Sequence, residues 1–261
     1  MSYIEYEIRG YWGPDGLTPK AIGEKVVAML DQLGPIDSAM SNWRLLDEST
    51  MEAVPLTVAR EDMTTFVKKN MNETDWGGPA DEQGYSLIIS GSEIPSENNT
   101  PQTIGISLTA GSTWRNSVTF QIGWPTLPKD YELITYPIYK AALEVIAANW
   151  SCPWLLTKFY SGASAPVDTT MEVRKKAISA FEVAWIAYLS PRLAAGLAPP
   201  AELTCERTPG GGMVLGAVQG LIDQSNPDHM RRSRMLETIL EDRIGQERRT
   251  PAQLPARIGP Y

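Results

Sequence analysis

The sequence predicts an α+β fold in which antiparallel sheets pack against helices, and three observations support this prediction. The segment Tyr3–Trp12 alternates between polar and apolar residues, which indicates a strand. The segment from Pro19 to Leu33 repeats apolar residues at helical spacing, which indicates an amphipathic helix. Gly, Ser, Asn and Pro clusters separate three later strand-like segments, a pattern typical of an antiparallel meander.

The elements of the first 150 residues follow from local signals. A turn at Gly13–Gly16 separates the first strand from the first helix. Thr18 and Pro19 suit the N-cap and the first helical position, and Gly34-Pro35 ends the helix. The other predicted elements are a weak helix over Ser38–Leu46, a helix over Arg60–Met71, strands over Tyr85–Ser90, Thr103–Thr109 and Val118–Gly123, and a helix over Tyr136–Trp150.

The remaining residues contain the same kinds of element. Pro209-Gly210-Gly211-Gly212 predicts a hairpin turn, and Asn226-Pro227 predicts the start of a helix. The predicted elements are a strand over Trp154–Tyr160, a helix over Glu172–Ala180, strands over Phe181–Leu189, Glu202–Arg207 and Met213–Val218, and a last helix ending near Ile244.

We therefore divide the chain into an acidic N-terminal α+β half over residues 1–150, a C-terminal α+β half over 151–245, and a loosely held tail over 246–261. Each half follows the order strand, helix, three strands, helix. That shared order is compatible with an old duplication. It is equally compatible with two ordinary α+β patterns, because the residues themselves are not visibly repeated.

Composition narrows the classes of function. The 261 residues include 23 Lys and Arg against 31 Asp and Glu, which gives a net charge of −8. An acidic chain is a poor general binder of nucleic acid. With one histidine, His229, and two distant cysteines, Cys152 and Cys205, neither a multi-histidine metal site nor a disulfide framework is expected. No apolar run is long enough to cross a membrane, and no signal peptide is recognisable, so we expect a cytoplasmic protein.

No catalytic constellation is recognisable in the sequence. His229 lies at a predicted helix start beside Arg231 and Arg232, where it would be a poor general base. We interpret Cys152 and Cys205 as small core residues. The glycine triplet lacks the Lys-Ser/Thr of a phosphate-binding loop. We therefore expect a protein that is not an enzyme and that uses no cofactor or metal.

The negative charge is unevenly distributed. Residues 1–150 hold 20 acidic and 10 basic side chains, whereas residues 151–261 hold 11 and 13. Between Lys69 and Arg115 there are six acidic residues and no basic one. Such a stretch is either a solvated segment that aids solubility or a negative surface for a basic protein.

Tryptophan is abundant, with eight residues in the chain. We expect most of them in the core, since each buries a large area. Trp12, Trp76 and Trp124 lie at turn edges, where an exposed ring beside acidic residues would suit a protein–protein hot spot.

Two motifs resemble a known family. Tyr11-Trp12-Gly13-Pro14, followed by a capped helix and Trp43, resembles the opening of the bacterial immunity protein 52 family. The stretch from Trp185 to Pro191 resembles its second signature, W-x-x-Y-L-S-P. The glycine hairpin and the Asn226-Pro227-Asp228-His229 helix start follow in the same order as in the family. The resemblance covers both ends of the chain, whereas the middle, from about Asn70 to Pro128, does not match residue by residue.

The resemblance implies a non-enzymatic protein that neutralises a bacterial toxin. Such toxins are polymorphic, are typically delivered by a type VI secretion system, and usually carry a restriction-endonuclease-like nuclease domain encoded by a neighbouring gene. With that partner, the acidic stretch gains a role, because a nuclease presents a basic groove for phosphate. We expect the toxin-facing surface to include Glu73, Asp75, Trp76, Asp81, Glu82, Tyr85, Glu93 and Glu97, with Trp76 as the apolar anchor.

A different class of function stays open at this point. A small-molecule-binding protein or metabolic enzyme could use a cleft between the two halves, since ligand pockets favour such interfaces. The sequence leaves the oligomeric state open between monomer and homodimer, and it does not identify the toxin or its target.

Overall fold

An antiparallel sheet of ten strands forms the framework of the molecule. The computed structural model describes residues 3–73, 81–94, 102–122, 133–162 and 182–249. The strand order across the sheet is β3-β2-β4-β5-β6-β1-β7-β8-β10-β9. The strands are β1 (Tyr3–Trp12), β2 (Arg44–Asp47), β3 (Glu52–Pro55), β4 (Tyr85–Ile94), β5 (Gln102–Ala110), β6 (Asn116–Ile122), β7 (Trp154–Gly162), β8 (Glu182–Leu189), β9 (Thr204–Arg207) and β10 (Met213–Gly216).

Six α-helices accompany the sheet in the described part of the chain. The short helix α2 continues through a 3-10 turn, Arg60–Asp62, into α3. The helices are α1 (Pro19–Leu33), α2 (Leu56–Ala59), α3 (Met63–Lys69), α4 (Tyr136–Asn149), α5 (Pro191–Ala194) and α6 (Pro227–Arg249). The α+β fold class predicted from the sequence is therefore confirmed. None of the described helices is both long and apolar enough to span a membrane.

Strand β1 lies at the centre of the sheet, where it pairs with β6 on one side and β7 on the other. The sheet therefore continues without a break across the boundary we placed at residue 150. Tyr6, Ile8 and Trp12 are buried on one face of β1. On that face α4 contributes Tyr139, whose hydroxyl donates a 2.9 Å hydrogen bond to the Tyr6 carbonyl. The division into two similar halves stays a prediction.

The strands on the two sides of β1 are covered differently. Strands β5 and β6 alternate between buried side chains and partly or fully exposed ones, so one of their faces meets the core and the other is open. Strand β8 instead contacts both α4 and α6, and its residues from Val183 to Leu189 are all buried. This difference explains why β8 reads as a continuous run of bulky residues.

The predicted weak helix over Ser38–Leu46 is wrong. Residues 38–43 form turns, with Asn42 in the left-handed region at a φ of 51°, and Arg44–Asp47 form β2. Leu45 pairs with Val54 of β3 and Ile89 of β4, and its side chain is fully buried. Pairing with distant strands therefore outweighs the local helical pattern.

Most other predicted elements are confirmed within the described residues. The Thr18 side chain caps α1 by accepting a hydrogen bond from the Ala21 amide, as its position predicted. The β9–β10 hairpin surrounds the glycine triplet. The predicted helix over Glu172–Ala180 and most of the predicted tail, beyond Arg249, lie outside the described residues.

Two positions require glycine: Gly84, just before β4 begins, and Gly111, just after β5 ends. Gly84 and Gly111 have φ values of +73° and +77°. A Cβ at Gly84 would lie 2.4 Å from the Ala110 carbonyl oxygen and 2.5 Å from the Ser112 nitrogen. Because both neighbours are backbone atoms, neither can move aside cheaply.

We predict that Gly84→Ala lowers the free energy of unfolding by about 2 kcal/mol or more, because left-handed strain adds to the backbone clash. Urea unfolding followed by circular dichroism measures the change. Gly210→Ala is the matched control, since a Cβ there meets no atom within 4 Å and its φ is not in the left-handed region. Equal stabilities of the two variants would contradict this account of the turn.

Candidate interaction surface

The turn between β5 and β6 presents an exposed tryptophan. The Trp114 side chain is 67% exposed, whereas Trp12, Trp43, Trp150 and Trp185 are all buried. Placing a ring of this size in water is unfavourable, and tryptophan is among the residue types that dominate binding energy in protein interfaces. Trp114 is therefore the first candidate for a contact residue.

Buried polar side chains hold the backbone of this turn. The Ser112 hydroxyl accepts hydrogen bonds from the amides of Trp114 at 3.1 Å and Arg115 at 3.3 Å. The Ser112 amide donates a 2.9 Å bond to Asn116 Oδ1, and Asn116 Nδ2 donates a 2.7 Å bond to the Gly13 carbonyl. Because the turn is fixed in this way, it presents Trp114 at little further entropic cost.

The part of the acidic stretch from Glu73 to Glu82, which we name the acidic segment, is flanked by residues that meet beside this turn. Met71 pairs with Tyr85, and the Asn72 amide donates a 3.0 Å hydrogen bond to the Gly84 carbonyl. The Glu82 carbonyl accepts a 2.9 Å bond from the amide of Thr113, which precedes Trp114. The backbone therefore enters and leaves the acidic segment at the same end of the sheet as Trp114.

The structure brings together only part of the surface predicted from the sequence. At the Trp114 end, Glu73 and Glu82 are exposed and Tyr85 is partly buried, and the backbone of Asp81 lies in the same 3-10 turn as Glu82. Glu93 lies eight residues along β4 from Tyr85, which places it roughly 25 Å away at the opposite end of the strand. The predicted contact residues that lie outside the described residues are Asp75, Trp76 and Glu97.

A second side chain of the same turn forms an aromatic stack. The guanidinium carbon of Arg115 lies 3.8 Å from the centroid of the Tyr11 ring, and the Trp154 ring lies 5.8 Å from Tyr11 on the neighbouring strand. Our sequence reasoning did not single out Trp114 or Arg115. The sequence signal that could have identified Trp114 was a bulky apolar residue within a turn sequence, Gly111–Arg115, between two strands.

The residues considered for catalysis occupy structural positions. His229 lies in the first turn of α6, as predicted, and its Nδ1 accepts a 3.1 Å hydrogen bond from the Asp223 amide. Cys152 is buried, and desolvation raises the pKa of its thiol well above the usual range. The expectation that Cys205 is a core residue is wrong, because it lies exposed on β9, an edge strand of the sheet.

The motif residues that carry the family resemblance fill the core. Trp185 is fully buried against Tyr6, and its Nε1 donates to the carbonyls of Val218 at 3.1 Å and Gly220 at 3.0 Å. Tyr188 covers Gly212, where a Cβ would lie 2.5 Å from its ring. These residues therefore contribute to the core of the fold.

The opening motif is also structural. Trp12 stacks on Trp150 with their centroids 5.5 Å apart, and its Nε1 donates a 2.7 Å hydrogen bond to Asp15.

Among the described residues, no group of three or more His, Cys, Asp or Glu is placed to hold a metal ion. No protein-family model matches the chain, and no curated protein matches it with significant similarity.

We predict that Asn116→Ala lowers the free energy of unfolding by about 1–3 kcal/mol, because the buried Ser112 amide loses its acceptor. Denaturant unfolding measures the loss. Asn149→Ala is the control, since Asn149 Nδ2 donates to Gln32 Oε1 and to the Val145 carbonyl in a half-buried position and its loss is expected to cost less than about 1 kcal/mol. An Asn116→Ala protein as stable as wild type would show that the turn is not held as described.

Proposed function

We propose that this chain is a non-enzymatic immunity protein that binds and neutralises a cognate bacterial toxin. The resemblance of its two motifs to the immunity protein 52 family supports this class of function. It also supports a nuclease of restriction-endonuclease fold, delivered by a type VI secretion system, as the toxin. The single structural observation that carries the proposal is the acidic segment held at both ends beside the exposed Trp114.

Electrostatics suits such a partner. A nuclease exposes cations that bind phosphate, and an acidic protein surface is attracted to the same cations. The chain carries a net charge of −8 and has no Lys or Arg between Lys69 and Arg115. The toxin would therefore approach the end of the sheet that bears Glu73, Asp81 and Glu82.

Binding strength would come from apolar contacts within that charged surface. Charged groups mainly raise the association rate, whereas large buried rings dominate the lifetime of a complex. Trp114 provides an exposed ring at this end of the sheet. Trp76 keeps its predicted role as an anchor from within the acidic segment.

The class of function is tested by co-expression with the product of the neighbouring gene. We expect the wild-type chain to restore growth to cells that produce the toxin and to co-purify with it. A chain that neither rescues growth nor binds the toxin would contradict the proposal. In a purified nuclease assay, inhibition that is competitive with nucleic acid indicates occlusion of the active site, whereas non-competitive inhibition indicates binding elsewhere on the toxin.

We predict that reversing four charges of the acidic segment slows toxin association about 10- to 1000-fold at low ionic strength, because electrostatic steering is lost. The change converts Glu73, Asp75, Asp81 and Glu82 together to Lys, and stopped-flow or biosensor kinetics measures the rate.

The control variant carries the same change in net charge elsewhere. It converts four exposed acidic residues on other parts of the surface to Lys, namely Glu24, Glu52, Glu61 and Glu241. We expect a smaller decrease in rate for this protein. Equal rates for the two folded variants would show that the acidic segment is not the surface that meets the toxin.

A further inference from the structure

Arg115 is a cation without an anionic partner in the described part of the chain. Its guanidinium forms no ion pair or hydrogen bond with any described residue, although residues 1–150 hold 20 acidic side chains and only 10 basic ones. The residue is exposed and lies on the Tyr11 ring. This cation–π contact with the ring occupies no N–H group in a hydrogen bond to an anion, so the donors stay available to a ligand.

The stack also fixes where those N–H groups lie. Tyr11 belongs to the central strand β1, and the centroid of the Trp154 ring on β7 lies 5.8 Å from that of Tyr11. The Arg115 amide is held by Ser112, so both ends of this side chain are restrained. A restrained guanidinium loses little entropy on binding, and a carboxylate is the planar anion that matches its donors in a two-point contact.

Trp114 lies next to Arg115 and has a complementary property. Its 67% exposed ring can bury apolar surface on a partner, whereas the Arg115 guanidinium can bind an anion. Tryptophan, tyrosine and arginine are the residue types enriched in interface hot spots, and all three are present here. We name Trp114, Arg115 and Tyr11 the turn cluster.

We infer that the turn cluster binds a carboxylate of the toxin that lies beside an apolar side chain. This inference rests on the proposed function, since the partner it names is the toxin. The interface then has two signs of charge: the acidic segment faces toxin cations, and Arg115 faces a toxin carboxylate. Such a pattern fixes the orientation of the partner and selects against toxins that place a cation opposite Arg115.

The experiment measures the affinity of the full-length chain for the purified toxin by calorimetry. We expect Trp114→Ala and Arg115→Ala each to weaken binding about 10- to 30-fold, and Arg115→Glu to weaken it further. Arg115→Lys should fall between wild type and Arg115→Ala, because it keeps the charge and loses the two-point contact. Urea midpoints close to wild type are expected for all four variants, since both side chains are exposed.

Two controls test whether position matters. Arg60→Ala removes an exposed arginine that is ion-paired to Asp31 at 2.6 Å, and Val58→Ala trims an exposed apolar side chain of α2. Neither should change the affinity by more than about twofold.

A charge-swap screen tests directly whether Arg115 binds a carboxylate. Each exposed Asp or Glu of the toxin is changed to Lys, and one of these changes should raise the affinity for the Arg115→Glu variant at least tenfold.

The outcomes separate this inference from the proposed function. Wild-type affinity in Trp114→Ala and Arg115→Ala, or failure of every charge swap, overturns the inference and leaves the immunity function in place. A wild-type chain that does not bind the toxin overturns the immunity function, and the inference with it. Loss of a wild-type dimer in these variants, with unchanged toxin affinity, would assign the turn cluster to a second copy of the chain and would also overturn the inference.

Discussion

The double-sided pairing of β1 is the constraint on which the rest of the structure depends. Its hydrogen bonds to β6 and β7 join the parts of the chain before and after residue 150, where we placed the boundary between the predicted halves. A sheet that continues across this boundary lets α1 and α4 share one core, in which Trp12 stacks on Trp150. Gly10 leaves room for the Leu155 side chain of β7, since a Cβ there would lie 2.2 Å from Leu155 Cδ2.

The position of the candidate interaction surface follows from the same registers. Antiparallel pairing aligns Tyr85 with Ala110, Asn116 with Trp12, and Tyr11 with Trp154. The start of β4, the β5–β6 turn and the end of β1 therefore lie along one end of the sheet. The acidic segment, Trp114 and the Arg115 stack are distant in sequence, and sheet topology brings them together.

The strands and helices were predictable where one periodic signal extends over seven or more residues, as in β1, β6 and α1. The four-residue strand β2 was not, because its identity depends on pairing with Ile89 and Val54. The charge asymmetry located one side of the candidate surface, but Glu93 proved to lie at the far end of β4. The exposure of Trp114 could not be predicted, since it depends on how Ser112 and Asn116 fold the turn.

Amide hydrogen exchange of the chain, free and bound to the product of the neighbouring gene, tests the central claim most directly. We predict that protection on binding is concentrated in residues 71–85, which carry Glu73, Asp75, Asp81 and Glu82, and in residues 111–116. The β9–β10 hairpin and the α1–α3 surface should exchange equally in both states. Protection confined to the β9–β10 hairpin and the α1–α3 surface, with none at the Trp114 end of the sheet, would contradict the central claim.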